Sequence, residues 1–157
     1  MNIKTTRFGT ISIGEEKIIS MPFGMLGFPD KKRFIIVQHK ENSPFFWYQS
    51  VDDPTLAFVI TSPFPFKPDY EVDMDDVLKE MSWNEGEENN DLALYVVVNI
   101  PKGSPDKMTA NLIGPILVNS RACQAVQMVI SNSPYSHKFP LLGENQSQEP
   151  MVRAVMD

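Results

Sequence analysis

Asp52 and Asp53 stand side by side in Gln49-Ser-Val-Asp52-Asp-Pro54, and two neighbouring carboxylates are the most direct source of an acid and a base in this chain. Adjacent residues on a turn are mostly solvated, and the Pro54-Thr55 pair behind them marks a turn. The other chemistry-bearing residues are scattered. His39, in Gln-His-Lys-Glu-Asn, reads as an exposed loop residue, and His137 is the only other histidine. The single cysteine, Cys123, lies between Ala122 and Gln124 and reads as a small buried hydrophobe before a reactive thiol. Glu85-Gly-Glu-Glu-Asn-Asn-Asp91 lacks the spacing of a calcium loop and is most simply a solvated turn. No Gly-x-Ser-x-Gly elbow, phosphate-binding glycine loop or metal-spaced Cys/His pair occurs. Neither catalysis nor a cofactor or metal site is therefore expected.

Bulk properties narrow the class further. A chain of 157 residues is most simply one domain. It can bury roughly 68–70% of its unfolded surface without metal or disulfide, and a lone cysteine fits a reducing compartment. Twenty acidic residues against fourteen lysines and arginines give a net charge of −6. That balance argues against direct nucleic-acid binding and favours basic protein partners. The N-terminus, Met-Asn-Ile-Lys-Thr-Thr-Arg-Phe-Gly, is neither a signal peptide nor an anchor, and no run approaches ~18 apolar residues. A cytoplasmic protein without membrane contact is expected.

The elements that must position these residues have mostly a period of two. Thr10–Ile13 and Lys17–Met21 read as short strands around a Gly14-Glu-Glu16 hairpin loop. Arg33–Gln38 follows the turn region Gly24–Asp30. Phe45–Val51 and Leu56–Thr61 form a hairpin through Asp52-Asp53-Pro54-Thr55. In Asp91–Ile100, Leu92, Leu94, Val96, Val98 and Ile100 share one face, as in a central strand. One short amphipathic helix is expected over about residues 73–84: Met74, Val77, Leu78 and Met81 make the stripe, Asp73 the N-cap, and Gly86 or the residues just before it the end. Ala122–Ile130 fits a helical stripe by period, but its β-branched content and place beside the next strand fit a strand. Ser62-Pro-Phe-Pro-Phe-Lys-Pro68 reads as a stiff crossover pinned by Phe64 and Phe66, with a proline-motif ligand as the other reading. Residues 1–142 make the domain and 143–157 a polar tail, whose Met151–Met156 is a short helix or unstructured.

The run Thr109-Ala-Asn111-Leu-Ile-Gly114-Pro115-Ile-Leu-Val-Asn119 is apolar but broken in its middle. Pro115 has no N–H for a sheet ladder and Gly114 weakens a strand, so a bent or edge strand is expected. Its two asparagines either hydrogen-bond a partner's backbone or satisfy their own chain's peptides. Trp47 and Tyr48 point to opposite faces, which makes one of them core and offers the other as an exposed anchor. The candidate partner-binding residues are Asp52, Asp53, Tyr48, Asn111, Pro115 and Asn119.

Four pieces in order carry a family resemblance: Phe23-Gly-Met-Leu-Gly27-Phe28; Phe46-Trp-Tyr-Gln-Ser-Val-Asp52-Asp-Pro54 with Leu56-Ala-Phe58; Pro68-Asp-Tyr70; and Asn111–Asn119. Spread from about Thr6 to Leu141, they closely resemble the FliW family of flagellar assembly factors. The resemblance implies a mostly β, single-domain, antiparallel barrel-like fold without catalytic activity. It implies binding to CsrA, a basic dimeric repressor of flagellin mRNA translation, and to flagellin. Flagellin held in the cytoplasm would occupy the protein and leave CsrA free to repress; export of flagellin would release the protein to antagonise CsrA. This couples synthesis to secretion, with no direct nucleic acid, membrane or small-molecule substrate and a monomer when free. The family's antagonism implies docking beside the RNA surface, where an acidic body can also repel phosphates over roughly 8–10 Å. Two other readings remain: a small β-barrel enzyme or sugar-binding domain using Asp52, Asp53 and Trp47, and a flagellin chaperone with no translational role.

Overall fold

Alternation along the chain builds eleven short strands in the structure, a computed structural model that describes residues 1–38, 40–83, 91–131 and 133–142. These are β1 (Asn2–Thr5), β2 (Gly9–Ser12), β3 (Ile19–Ser20), β4 (Arg33–Val37), β5 (Phe45–Ser50), β6 (Ala57–Thr61), β7 (Leu92–Asn99), β8 (Thr109–Ala110), β9 (Ile116–Asn119), β10 (Gln124–Gln127) and β11 (Phe139–Pro140). The order β7-β6-β5-β4-β3-β10-β9 closes into a seven-stranded barrel because β9 also pairs with β7. Every pairing is antiparallel except one parallel contact, Gln124 to Ser20. Closure removes the long free edges that would otherwise template aggregation.

Period two sends one face of each strand inward. Ile19, Phe34, Ile36, Phe46, Tyr48, Phe58, Ile60, Tyr95, Val97, Ile116, Val118 and Ala125, from all seven barrel strands, meet in one cluster with Met21 and Met25. These side chains pack the interior, while Ile19, Ile36, Tyr95 and Val118 also line a cavity that opens from it. The opposite face of β7 carries Val96 and Val98 into a second cluster with Tyr70, Leu112 and Leu141, while Leu117, Val126 and Met128 meet Trp83 in a third. β7 pairs with three strands, as its clean alternation predicts for a central strand.

The helix α1 (Asp75–Glu80) is shorter than the range 73–84, but its stripe behaves as expected: Met74, Val77, Leu78 and Met81 pack on the third cluster. Met74, not the expected Asp73, takes the N-cap position and makes no side-chain cap; Asp73, one residue earlier, accepts the Asp75 N–H on Oδ1 at 3.0 Å. The helix stops because Ser82 takes φ +57°, with Trp83 N–H on Leu78 O at 2.9 Å and Ser82 N–H on Lys79 O at 3.1 Å. That pair of bonds is a Schellman ending built on serine instead of glycine. The loop expected at 85–90 and the tail expected at 143–157 lie outside the described residues, as does His39.

Two expectations about pairing change. Gly14–Glu16 is no hairpin loop: Glu15–Lys17 form a single 3-10 turn, and β2 pairs with β1 in a separate two-stranded sheet. The alternating N-terminus supplies β2's partner, so β3 is left to pair with β4. For 122–130 the strand reading holds over Gln124–Gln127, where four-residue antiparallel pairing with β9 overrides the helical stripe.

The Gly-Pro break is a bend with a measurable slip. β8 and β9 lie along the same side of β7; Val98 faces Ala110 and Tyr95 faces Ile116. Two residues of β7, Val96 and Val97, thus oppose five residues, Asn111 to Pro115. The extra length bulges away and changes partner, since Ile113 O and Pro115 O accept the N–H groups of Ile130 and Met128 at 2.8 and 2.7 Å. Pro115, without an N–H to offer, loses nothing there. Tyr70 O–H donates to Leu112 O at 2.5 Å and ties the crossover to this corner; burial, then the neighbouring Tyr135, pushes the Tyr70 hydroxyl pKa up.

Candidate interaction surface

Asp52 and Asp53 cap the β5–β6 hairpin, and each carboxylate has a local partner. Asp52 takes two donors from the Arg33 guanidinium, Nε and Nη2, at 3.1 and 2.5 Å. Asp53 Oδ1 accepts Thr55 Oγ1–H at 2.7 Å and Thr55 N–H at 3.0 Å. Those bonds hold the Asp53 carboxyl below the usual carboxylate range, with Lys31 adding to the effect. Both residues remain at the surface of the hairpin, so charge there is partly compensated and still reachable.

The other candidates are drawn into the fold. Tyr48 is fully buried inside the barrel, stacked on Phe34 with ring centroids 4.5 Å apart, and presents nothing to a partner. Its expected role as an exposed anchor is corrected by the strand's own alternation, which points Tyr48 inward. Trp47 faces outward, yet it too is covered: Arg7 sits 4.1 Å from its ring centroid and Phe8 packs edge-on at 6.1 Å, both from the β1–β2 turn. Pro115 is buried in the bend. Asn111 Oδ1 accepts Ile113 N–H at 3.1 Å. Asn119 Oδ1 accepts Arg121 N–H and Ala122 N–H at 3.1 and 3.0 Å. Both asparagines therefore satisfy their own chain's turn peptides.

Between the acidic hairpin and the Gly-Pro corner lies a feature whose role the sequence reading missed. The turn Pro22–Pro29 exposes Phe23 (56%), Leu26 (53%) and Phe28 (37%) while burying Met25 in the barrel cluster (2%). Met25 and Phe28 exchange backbone hydrogen bonds at 3.2 and 2.8 Å, and Gly24 N–H reaches Met21 O at 2.9 Å. Gly24 has φ +68°, and a Cβ there would lie 2.6 Å from Pro29 O and 2.7 Å from Pro29 Cα, so the chain crosses itself where only glycine fits. Gln127 then clamps the turn to the corner: its Oε1 accepts Leu26 N–H at 2.8 Å, and its Nε2 donates to Gly114 O at 2.9 Å. On the other side Lys31 N–H reaches Phe28 O at 3.1 Å, and Arg33 leads to Asp52. The available signal was composition, because large apolar residues stood where turns usually carry polar ones.

Two cavities that open on the described surface are lined by residues other than Asp52, Asp53 and Trp47. One, of about 580 Å³, is lined by Ile19, Ile36, Tyr95, Val118 and Cys123 among others; the other, of about 240 Å³, by Phe64, Val72, Met74, Leu92, Leu94 and Leu117. Among the described residues no group of three His, Cys, Asp or Glu side chains is placed to hold a metal ion, and no helix is long and apolar enough to cross a membrane. What the surface offers is a rigid apolar turn flanked by compensated charge.

Comparison with known proteins gives this arrangement its family. The family model described as "FliW protein" matches residues 2–141. The chain is similar to the flagellar assembly factor FliW of Magnetococcus marinus, 36% identical over 149 residues, covering 95% of this chain and 90% of that protein. It is 39% identical over 145 residues to FliW of Treponema denticola, covering 92% and 95%. A crystal structure of the flagellar assembly factor FliW superposes with a TM-score of 0.81 at 33% identity, covering 92% of this chain and 99% of that one. A closed barrel with the four motif pieces in contact, matched over nearly its whole length, this chain belongs to the FliW family of flagellar assembly factors.

Proposed function

We propose that this protein is a cytoplasmic switch that binds CsrA, antagonises its repression of flagellin mRNA, and binds flagellin, so that flagellin synthesis follows secretion. The observation that carries the reading is the Phe23–Phe28 turn. A family of assembly factors needs surfaces for protein, and here three large apolar side chains are held out on a backbone pinned by Gly24, Met25 and Gln127. Rigid presentation lowers the ordering entropy lost on association. The net charge of −6 adds long-range attraction for a basic repressor and repulsion for the RNA phosphates beside it.

The test is a co-elution and displacement series with purified CsrA and monomeric flagellin from the same cell. Each should form a complex, flagellin should release CsrA from the protein, and the protein should release CsrA from flagellin leader RNA. A complex with flagellin alone would favour the chaperone reading, and binding to neither would end the proposal. Neutralising exposed acids while CsrA binding persists should weaken RNA release if repulsion contributes.

A further inference from the structure

We propose that the segment Met151–Met156 of this chain folds back into the cavity of about 240 Å³ beside α1 and covers the open end of β7's outer face. The inference rests on the fold and the sequence and is independent of the two-partner reading above. Leu92, Leu94, Val96 and Val98 share the outward face of β7; Val96 and Val98 are buried, whereas Leu92 and Leu94 are only half-buried. Those two leucines line the cavity with Phe64, Val72, Met74 and Leu117, and Phe64 is 45% exposed. Val72 and Leu94 pack on both the second and the third cluster, so the cavity lies at the seam between them. A central strand is thus left with an apolar seat at one end.

Reach, pattern and charge choose the occupant. Leu142, the last described residue, packs on the second cluster as Val72 and Leu94 do, so the chain leaves the barrel beside the cavity. From there to Met151 the sequence runs Gly-Glu-Asn-Gln-Ser-Gln-Glu-Pro, a polar spacer that reaches about 30 Å at full extension. Met151, Val152, Val155 and Met156 then recur at i, i+1, i+4 and i+5, which is one face of a helix. At ~30 Å³ per water-sized group the cavity takes about eight such groups, as many as the side-chain heavy atoms of two methionines, and methionine adapts to irregular gaps. Arg153, the single base after Lys138, lies inside the same segment. Around Val72 and Met74 the sequence places Asp69, Glu71, Asp73, Asp75 and Asp76 with no Lys or Arg among them, so the rim attracts that base. A second copy's tail carries the same residues, but the covalent tether holds the chain's own tail at about millimolar effective concentration, far above that of a protein at micromolar concentration.

The decisive measurement is methyl NMR on the full chain labelled at its methionine methyl groups, with Met74, Met151 and Met156 assigned by single Met→Leu replacements. The expected result is nuclear Overhauser cross-peaks from the Met74 methyl to Met151 or Met156, at strengths that do not change on tenfold dilution. The double variant Val155→Asp/Met156→Asp, which leaves every described contact in place, should remove the cross-peaks and shift the Met74 methyl resonance. It should also lower Tm by about 2–4 °C, the share of stability that a docked tail supplies. Random-coil shifts for Met151 and Met156 in the full chain would leave the seat to some other occupant and overturn the proposal. A Met74 resonance and a Tm that are both unchanged in the double variant would overturn it too. Cross-peaks that fade on dilution would assign the seat to a second copy's tail, which also overturns it.

Discussion

Gly24 and Gly27 sit three residues apart in the same turn, both with positive φ, and their alanine variants should differ sharply. Gly24 has φ +68° and Gly27 φ +85°. Forcing an L-residue into that region costs about 1–2 kcal/mol at either position. At Gly27 nothing lies within 4 Å of an added Cβ, so strain is the whole effect. At Gly24 the Cβ would lie 2.6 Å from Pro29 O, 2.7 Å from Pro29 Cα and 2.8 Å from Phe28 O. These are backbone atoms, which cannot step aside as a side chain can. Overpacking of this kind adds about 1–3 kcal/mol, giving about 2–5 kcal/mol for Gly24→Ala against about 1–2 for Gly27→Ala. At about 2–4 °C per kcal/mol for a chain of this size, Tm should fall by roughly 4–20 °C and roughly 2–8 °C respectively. Urea melts at constant slope, read beside thermal unfolding by circular dichroism, would check both values. Equal losses for the two variants would refute the crossing of backbone at Gly24, and with it the claim that the apolar turn is rigid.

Tyr48→Phe should stabilise the protein by about 1 kcal/mol, because the buried Tyr48 hydroxyl has no hydrogen-bond partner among the described residues and its removal relieves that desolvation. A lower Tm for Tyr48→Phe would show instead that solvent satisfies the hydroxyl. Asn119→Ala deprives two N–H groups of their acceptor and Asn111→Ala one, so each should lower stability by about 1–2 kcal/mol, Asn119 the more. Both partner affinities should hold at a temperature where the variants are fully folded; a loss there would return the asparagines to the interface. Short peptides cut from the contact regions of CsrA and flagellin should bind together, while the intact proteins exclude each other in the same titration.

Alternation was enough to read most of the barrel strands, because burial on one face imposes period two whatever the partner strand is, but β10 has a helical period and was legible only from its β-branched content and its place beside β9. Which strand pairs with which was less legible. β3 and β8 have only two residues each, and the N-terminal alternation that makes β1 the partner of β2 is indistinguishable from any other polar-apolar run until the β1–β2 turn settles on Trp47. The motif pieces turn out to touch one another: Tyr70 holds Leu112, Gln127 joins Leu26 to Gly114, and Arg33 links the aromatic turn to Asp52. Their spacing in the sequence reflects packing as much as binding. That explains why Tyr48, Pro115 and the asparagines, read as partner contacts, have structural tasks. Exposure of Phe23 and Leu26 had only a compositional signal in the chain, since an apolar residue beside glycine is equally consistent with a buried turn.

Mutual exclusion of two partners does not require a moving part in this fold. The acids concentrate near α1, where Glu71, Asp73, Asp75, Asp76 and Glu80 stand against Lys79. α1 packs on Val126 and Met128, one face of the β10 segment. The other face of that segment carries Gln127, the clamp of the apolar turn. The acidic surface at α1 and the exposed apolar turn thus lie on two sides of a single strand, within about 10–15 Å by strand and barrel dimensions. A stable partner covers about 800 Å² of its target, equivalent to a disc of about 16 Å radius. Two such footprints centred that close would overlap, so two partners seated on these surfaces would compete through bulk without sharing anchoring residues. Such competition would leave the barrel rigid, with the outcome set by which partner is more abundant and how tightly each anchor holds.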